Sequence, residues 1–291
     1  MQNFGETVRS IRTNRGIKQN ELYNGILSKS YAIQFEKGLH DVSFYLLIQV
    51  LNRFPMEVDE FLYIHRGYQG SETAWFYDSL AIIGNDIDLE PLKKFKKEYL
   101  TRYSNSEHHK GRLLQIDFRI EQLTYYSSTG KIIGDTIEPQ VQEEIQNLLR
   151  KIQAWTIEDF RFFSNVIDLV DIFDMTQYFK LLLKDINQYK NFESAKGVIC
   201  ILLINAINKF IFSDKREEAK ELLRALNEFT KGIDQMFYRN YYFFFDAVVN
   251  KLDGDESGVQ KAKNAITIFK DLGYEHHADM AKAILTEILT M

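Results

Sequence analysis

Three features of the sequence predict an all-α protein. Only 3 of the 291 residues are proline, so long stretches run without a helix breaker. Apolar residues recur at spacings of three and four along most of the chain, whereas the alternation expected of half-buried strands is confined to short runs. Residues 18–38, KQNELYNGILSKSYAIQFEKG, read as two short helices joined by a turn, the second opening on a side-chain cap.

Taken in order, the first helix carries the apolar stripe Phe4, Val8 and Ile11. A second, short helix holds Gln19, Glu21, Leu22 and Tyr23 and breaks at Gly25. Ser28 then offers its hydroxyl to the free amides of a third helix, expected from about Lys29 to Lys37, with Gly38 ending it. Ala32 and Phe35 face inward on that helix; Lys29, Ser30, Ile33 and Gln34 face out. Leu46, Leu47, Val50, Leu51, Phe54, Phe61 and Leu62 complete a small core. Residues 1–66 therefore read as a five-helix domain, 67–74 as a linker and 75–291 as a larger unit.

The outward residues of the third helix have the chemistry to read a duplex. Lysine donates to guanine O6 or N7, glutamine pairs with adenine, serine adapts, and isoleucine presses on a thymine methyl. Ser28, at the entry of the helix, is counted with them. The arrangement resembles the helix-turn-helix domain of repressor and Cro proteins over roughly residues 1–66. That resemblance implies that Arg12 pairs with Glu36 and ties two helices together. Arg9, Arg15 and Lys37 are then candidates for phosphate contact, as is Gln19 at a helix start, where free amides attract an anion.

Charge follows the same division. Residues 1–40 hold six Lys or Arg against three Asp or Glu, a balance of +3, while the remainder holds 30 against 38 and the chain totals −5. Only the first segment suits a polyanion. One such domain makes few phosphate contacts, so double-stranded promoter DNA is expected to be bound by a homodimer over two half-sites. The polar, charged start is not a signal peptide, and no apolar run approaches the ~20 residues of a membrane span. The single cysteine, Cys200 in VICILLIN, reads as a buried, inert thiol, and a cytoplasmic protein away from membranes is expected.

From Trp75 onward the periodicity predicts about ten amphipathic helices: 72–83, 91–104, 107–127, 137–153, 156–168, 172–189, 192–212, 214–229, 233–252, and 257–289 with a break near Gly273. EEAKELLRALNEF (217–229) and VQKAKNAITIFKDLGY (259–274) place Ala219 with Leu222 and Leu223, and Ala262 with Ile266 and Phe269, at the small, apolar and aromatic positions of tetratricopeptide-like repeats. An α-solenoid of helix pairs follows. A helix-turn-helix domain joined to such a solenoid resembles the Rgg family of peptide-sensing transcription regulators of quorum sensing. The resemblance implies that the solenoid binds a short signalling peptide. The nearest matches to the family's groove residues are Asn165 in FFSNVIDL, Asn205 and Asn208 in ILLINAINKF, and Arg239, Tyr242 and Phe243 in FYRNYYFFFD. An asparagine on a groove can bond a peptide backbone, and Arg239 with Tyr242 can clamp a carboxylate. Seven aromatics in the nine residues 237–245 exceed what one helix face buries.

An enzyme is not expected. His108 with His109 and His276 with His277 are adjacent pairs, which point to different helix faces and read as exposed histidines, not metal ligands. No phosphate-binding loop, dinucleotide turn or nucleophile elbow is present, and no catalytic residue, metal or cofactor is expected. The competing reading is a helical-repeat protein–protein adaptor whose first domain binds no DNA.

Overall fold

A computed structural model describes residues 3–84, 88–103, 109–129 and 137–290. Among them are sixteen α-helices and no strand. The chain divides into two compact units, Met1–Asp86 and Ile87–Met291.

In the first unit, α1 (Phe4–Asn14) starts on a reciprocal cap: the Glu6 amide donates to Asn3 Oδ1 at 2.8 Å and the Asn3 amide to Glu6 Oε2 at 3.3 Å. α2 (Gln19–Tyr23) is a turn and a half, and Gly25 takes the positive φ that its exit demands. α3 (Lys29–Glu36) opens on Ser28, whose Oγ accepts from the Tyr31 amide, a cap of about 1 kcal/mol. α4 (Phe44–Asn52) is capped in the same way by Ser43, and α5 (Val58–His65) completes the five helices expected. The core is Val8, Ile11, Leu22, Tyr23, Ala32, Phe35, Leu47, Val50, Leu51, Phe54, Met56 and Phe61. Leu46 and Leu62, expected within it, are only partly covered, and Phe4 lies edge-on to Phe61 at the surface. α1 and α3 cross so closely that a Cβ on Gly5 would fall 1.7 Å from the Phe35 carbonyl oxygen. α6 (Glu72–Gly84) starts inside the segment read as a linker and falls in this first unit.

The second unit is built from α7 (Leu89–Tyr103), α8 (Lys110–Thr129), α9 (Pro139–Lys151), α10 (Ile157–Val166), α11 (Ile172–Gln188), α12 (Glu193–Phe212), α13 (Arg216–Phe229), α14 (Met236–Leu252), α15 (Ser257–Asp271) and α16 (Glu275–Ile288). The expected helix ends at 104 and 107 lie outside the described residues. α8, α10, α12, α14 and α16 pack side by side in one layer, with α9, α13 and α15 behind them. The shared core runs from Leu114 to Ile288 and takes in Ala219, Leu222, Leu223, Ala262, Ile266 and Phe269, the repeat-like positions of the sequence.

α12 corrects one expectation. By length and mean hydropathy, 1.7, it is apolar enough to cross a membrane, although no run of that kind was expected. Its apolar residues are instead core: Ile199, Leu202, Leu203, Ala206 and Phe210 are buried among α10, α13 and α14, while Asn205 and Asn208 interrupt the opposite side. The aromatic run of α14 splits similarly, with Tyr241, Phe244 and Phe245 buried and Phe243 half exposed.

Candidate functional site

In the first unit the expected ion pair is present and closed. Arg12 donates from Nε to Glu36 Oε1 at 2.6 Å and from Nη2 to Oε2 at 2.8 Å, and its Nη1 reaches the Ile17 carbonyl at 2.9 Å. Gln19 Nε2 adds a third donor to the carboxylate at 3.0 Å. Glu36 is buried, so this satisfied network welds α1, α2 and α3 together. The pairing holds the Arg12 guanidinium even more firmly protonated than usual. Burial, reinforced by the negative Glu36, likewise raises the Tyr23 phenol above its ordinary value.

Against this closed interior, the outward side of α3 is open. Lys29, Ser30 and Lys37 are exposed, Ile33 and Gln34 half exposed, and Arg9 on α1 exposed. Among the described residues the side chains of Arg9, Lys29 and Lys37 form no ion pair, leaving three cations available to an outside anion. Two expected phosphate candidates also bond within the domain, Arg15 while remaining exposed. Arg15 donates from Nη1 to the Phe54 carbonyl at 2.7 Å and lies over the Phe54 ring, and the Gln19 amide is held by Glu36. Ser28 spends its oxygen on the cap. Arg53, which sequence reasoning missed, donates to the carbonyls of Glu21 and Asn24, each at 2.8 Å, and so closes the exit of α2.

In the second unit the six expected groove residues fall on α10, α12 and α14, with Asn165 and Phe243 exposed and Asn205, Asn208, Arg239 and Tyr242 partly covered. Asn165 donates from Nδ2 to Gln115 Oε1 on α8 at 2.8 Å, and Asn205 from Nδ2 to Ser164 Oγ at 3.0 Å and to the Ser164 carbonyl at 3.3 Å. The amide donors expected to grip a ligand therefore lock neighbouring helices together. Asn208 differs: its Oδ1 is buried and meets no donor. Lys209 Nζ closes the carbonyl ends of the 3₁₀ turn after α10, at 2.7 Å from Ile167 O and 2.5 Å from Val170 O, and burial pulls its ammonium below the usual lysine range.

Arg239 lies over the rings of Tyr242 and Phe243, with its guanidinium carbon 4.6 and 4.8 Å from their centroids. Nη1 donates to Asn227 Oδ1 at 2.5 Å and approaches Thr230 Oγ1 at 3.3 Å. Among the described residues it has no carboxylate partner. Gln115, Ser164, Lys209 and Asn227 carried no sequence signal, because each acts through a partner on another helix.

The histidines are not simply exposed. His277 Nδ1 and His109 Nδ1 meet the hydroxyls of Tyr241 and Tyr99 at 2.8 and 2.6 Å, both half-buried, while His276 is exposed and His108 lies outside the described residues. Among the described residues no group of three His, Cys, Asp or Glu is placed to hold a metal. Burial pushes the Cys200 thiol up to about 12, which makes it a poor nucleophile at neutral pH.

The family model for the C-terminal domain of the HTH-type transcriptional regulator Rgg matches residues 92–283. The "putative transcriptional regulator from Listeria monocytogenes EGD-e" shares the fold at a TM-score of 0.88 and 27% identity, over 99% of this chain and 97% of that one. The SHP pheromone receptor Rgg2 of Streptococcus dysgalactiae follows at 0.75 and 16%, over 98% and 99%. PrgX in its complex with cCF10 gives 0.70 and 19%, over 99% and 98%. A search of curated proteins finds no match.

Proposed function

The chain belongs to the Rgg family of helix-turn-helix transcriptional regulators, and on that premise we propose that it is a cytoplasmic quorum-sensing regulator that binds promoter DNA as a homodimer and is controlled by a short signalling peptide. The observation that carries the DNA half is the set of unpaired cations Arg9, Lys29 and Lys37 around α3, beside a domain whose buried charges are fully paired. α3 enters the major groove with Lys29, Ser30, Ile33 and Gln34 toward base edges. Arg9 and Lys37 neutralise phosphates, and the Arg12–Glu36–Gln19 network fixes the pose of α3. Arg15 contributes by positioning, through Phe54. The peptide half draws support from two relatives: Rgg2 is an SHP pheromone receptor, and PrgX is complexed with cCF10.

The test is to select sites from a randomised duplex pool with the full-length protein and titrate the selected DNA by anisotropy. Gln34→Ala and Lys29→Ala should each cost about 1–3 kcal/mol and relax the selected sequence at one position. Arg9→Ala and Lys37→Ala should weaken all duplexes alike and reduce the salt slope by about one each. Unchanged affinity in all four variants would remove α3 from the groove and favour the adaptor reading.

A further inference from the structure

The helices α12, α14 and α16 each begin at a joint with the helix before them, and two contacts bring those joints to one edge of the second unit. Gln235 Nε2, in the turn before α14, donates to Glu193 Oε1 at the start of α12 at 3.2 Å. The Phe237 ring at the start of α14 lies 5.3 Å from that of Tyr274, just before α16. These joints carry large apolar side chains in the open: Ile233 is 87% exposed, Met236 63%, Phe192 51%, Leu272 49% and Tyr274 44%. Solvent-facing turns ordinarily hold polar residues and glycine. The joints at the far ends of α12 and α14 do so, reading Ser213–Asp214–Lys215 and Asp253–Gly254–Asp255–Glu256.

A contiguous apolar edge of this kind marks a surface that another molecule covers. Area and charge both fit a second copy of this chain. The five side chains leave on the order of 500 Å² exposed. A stable interface takes about 800 Å² from each partner, and in homodimers about 65% of it is apolar, so the edge supplies the apolar part of one self-complementary contact. Residues 190–196, 228–236 and 268–276, which form the edge, hold four lysines against five carboxylates, a balance of −1. Three of those lysines are already paired within the copy, Lys190 and Lys231 with Glu228 and Lys196 with Glu193. The edge therefore offers little to a polyanion, and it is a place where two chains of net charge −5 can meet with little repulsion.

Deepening the homodimer reading above, we propose that a second copy of the chain docks on this edge, turn against turn about a two-fold axis, with Ile233 and Met236 at the centre of the contact. The paired lysines and glutamates around them form its polar rim.

The test follows self-association of the full-length protein without DNA, by sedimentation velocity over a nanomolar-to-micromolar dilution series. The parent should sediment as a dimer. Ile233→Asp and Met236→Asp should each raise the dimer dissociation constant at least about tenfold. Far-UV circular dichroism should not change, since both side chains lie outside the core. Phe173→Asp, at an exposed aromatic on α11 away from this edge, should leave the constant as in the parent. A photo-crosslinker in place of Ile233 should join two chains within the same three segments. A dimer untouched by both edge substitutions, or crosslinked elsewhere, overturns the proposal and leaves the homodimer reading standing. A parent that stays monomeric throughout, whether or not it pellets with neutral phosphatidylcholine vesicles, also overturns it. If that parent is monomeric on DNA with two half-sites as well, the homodimer reading falls with it.

Discussion

The two units handle charge in opposite ways. In the first, the buried charges close on one another and the exterior is open: Arg12, Glu36 and Gln19 satisfy one another, while Arg9, Lys29 and Lys37 face out and form no ion pair among the described residues. In the second, the polar groups of α10, α12 and α14 are mostly spent on neighbouring helices, Arg239 included, and the buried oxygen of Asn208 is the exception. The first arrangement suits a regular polyanion met by many equivalent surface cations. The second suits a rigid helical stack whose polar groups hold its layers in register.

The strongest way to break this contrast is to open the closed interior. Glu36→Ala leaves the partly covered Arg12 guanidinium without its carboxylate, and should cost roughly 2–4 kcal/mol. In urea unfolding of the full-length protein the loss should appear in the transition of the first unit, with DNA binding falling in parallel. A cost below about 1 kcal/mol would mean that the pair acts as a surface salt bridge and that α3 is positioned by packing alone.

The units also differed in how far their sequences could be read. Caps, helix ends and core positions of the first unit lie within a few residues of one another, so Ser28, Gly38, Ala32 and Phe35 announced α3 directly, and the resemblance to repressor domains supplied Arg12–Glu36. What stayed hidden there was contact at a distance, such as Arg15 with the Phe54 carbonyl 39 residues on. In the second unit the helices were legible from their period. The face was not, because Asn165 meets Gln115 across 50 residues and Asn205 meets Ser164 across 41. Periodicity tells which residues point outward, not which of them a neighbouring helix has already engaged.

A smaller effect sharpens that distinction within α12. Asn205→Ala removes a bond between helices and leaves Ser164, itself buried, short of one donor, so it should destabilise the second unit by about 1 kcal/mol. Asn208→Ala removes a buried oxygen that has no donor and should be neutral or slightly stabilising in the absence of ligand. Thermal unfolding should therefore lower the melting temperature for Asn205→Ala and leave it unchanged or raised for Asn208→Ala. Equal losses would show that Asn208 is also part of the interhelix network.

The smallest expected effect is on pH dependence, and here the two units should behave alike. Burial lowers the pKa of His65, with the charge of Arg66 adding to it, and its Nδ1 lies 2.8 Å from Thr7 Oγ1. Burial also lowers the pKa of His277, with His276 adding to it, and its ring sits against Phe237 and Tyr241. In both cases folding favours the neutral ring, whereas the unfolded chain takes up a proton near the ordinary value of about 6.5. The stabilisation is thus fully present above that value and is lost as pH falls through the lowered folded values. His65→Gln should flatten the acid slope of the first unit alone, and His277→Gln that of the second. Following each C2 proton by NMR tests the premise directly, since an imidazole titrating at or above about 6.5 in the folded protein would reverse the sign of its contribution.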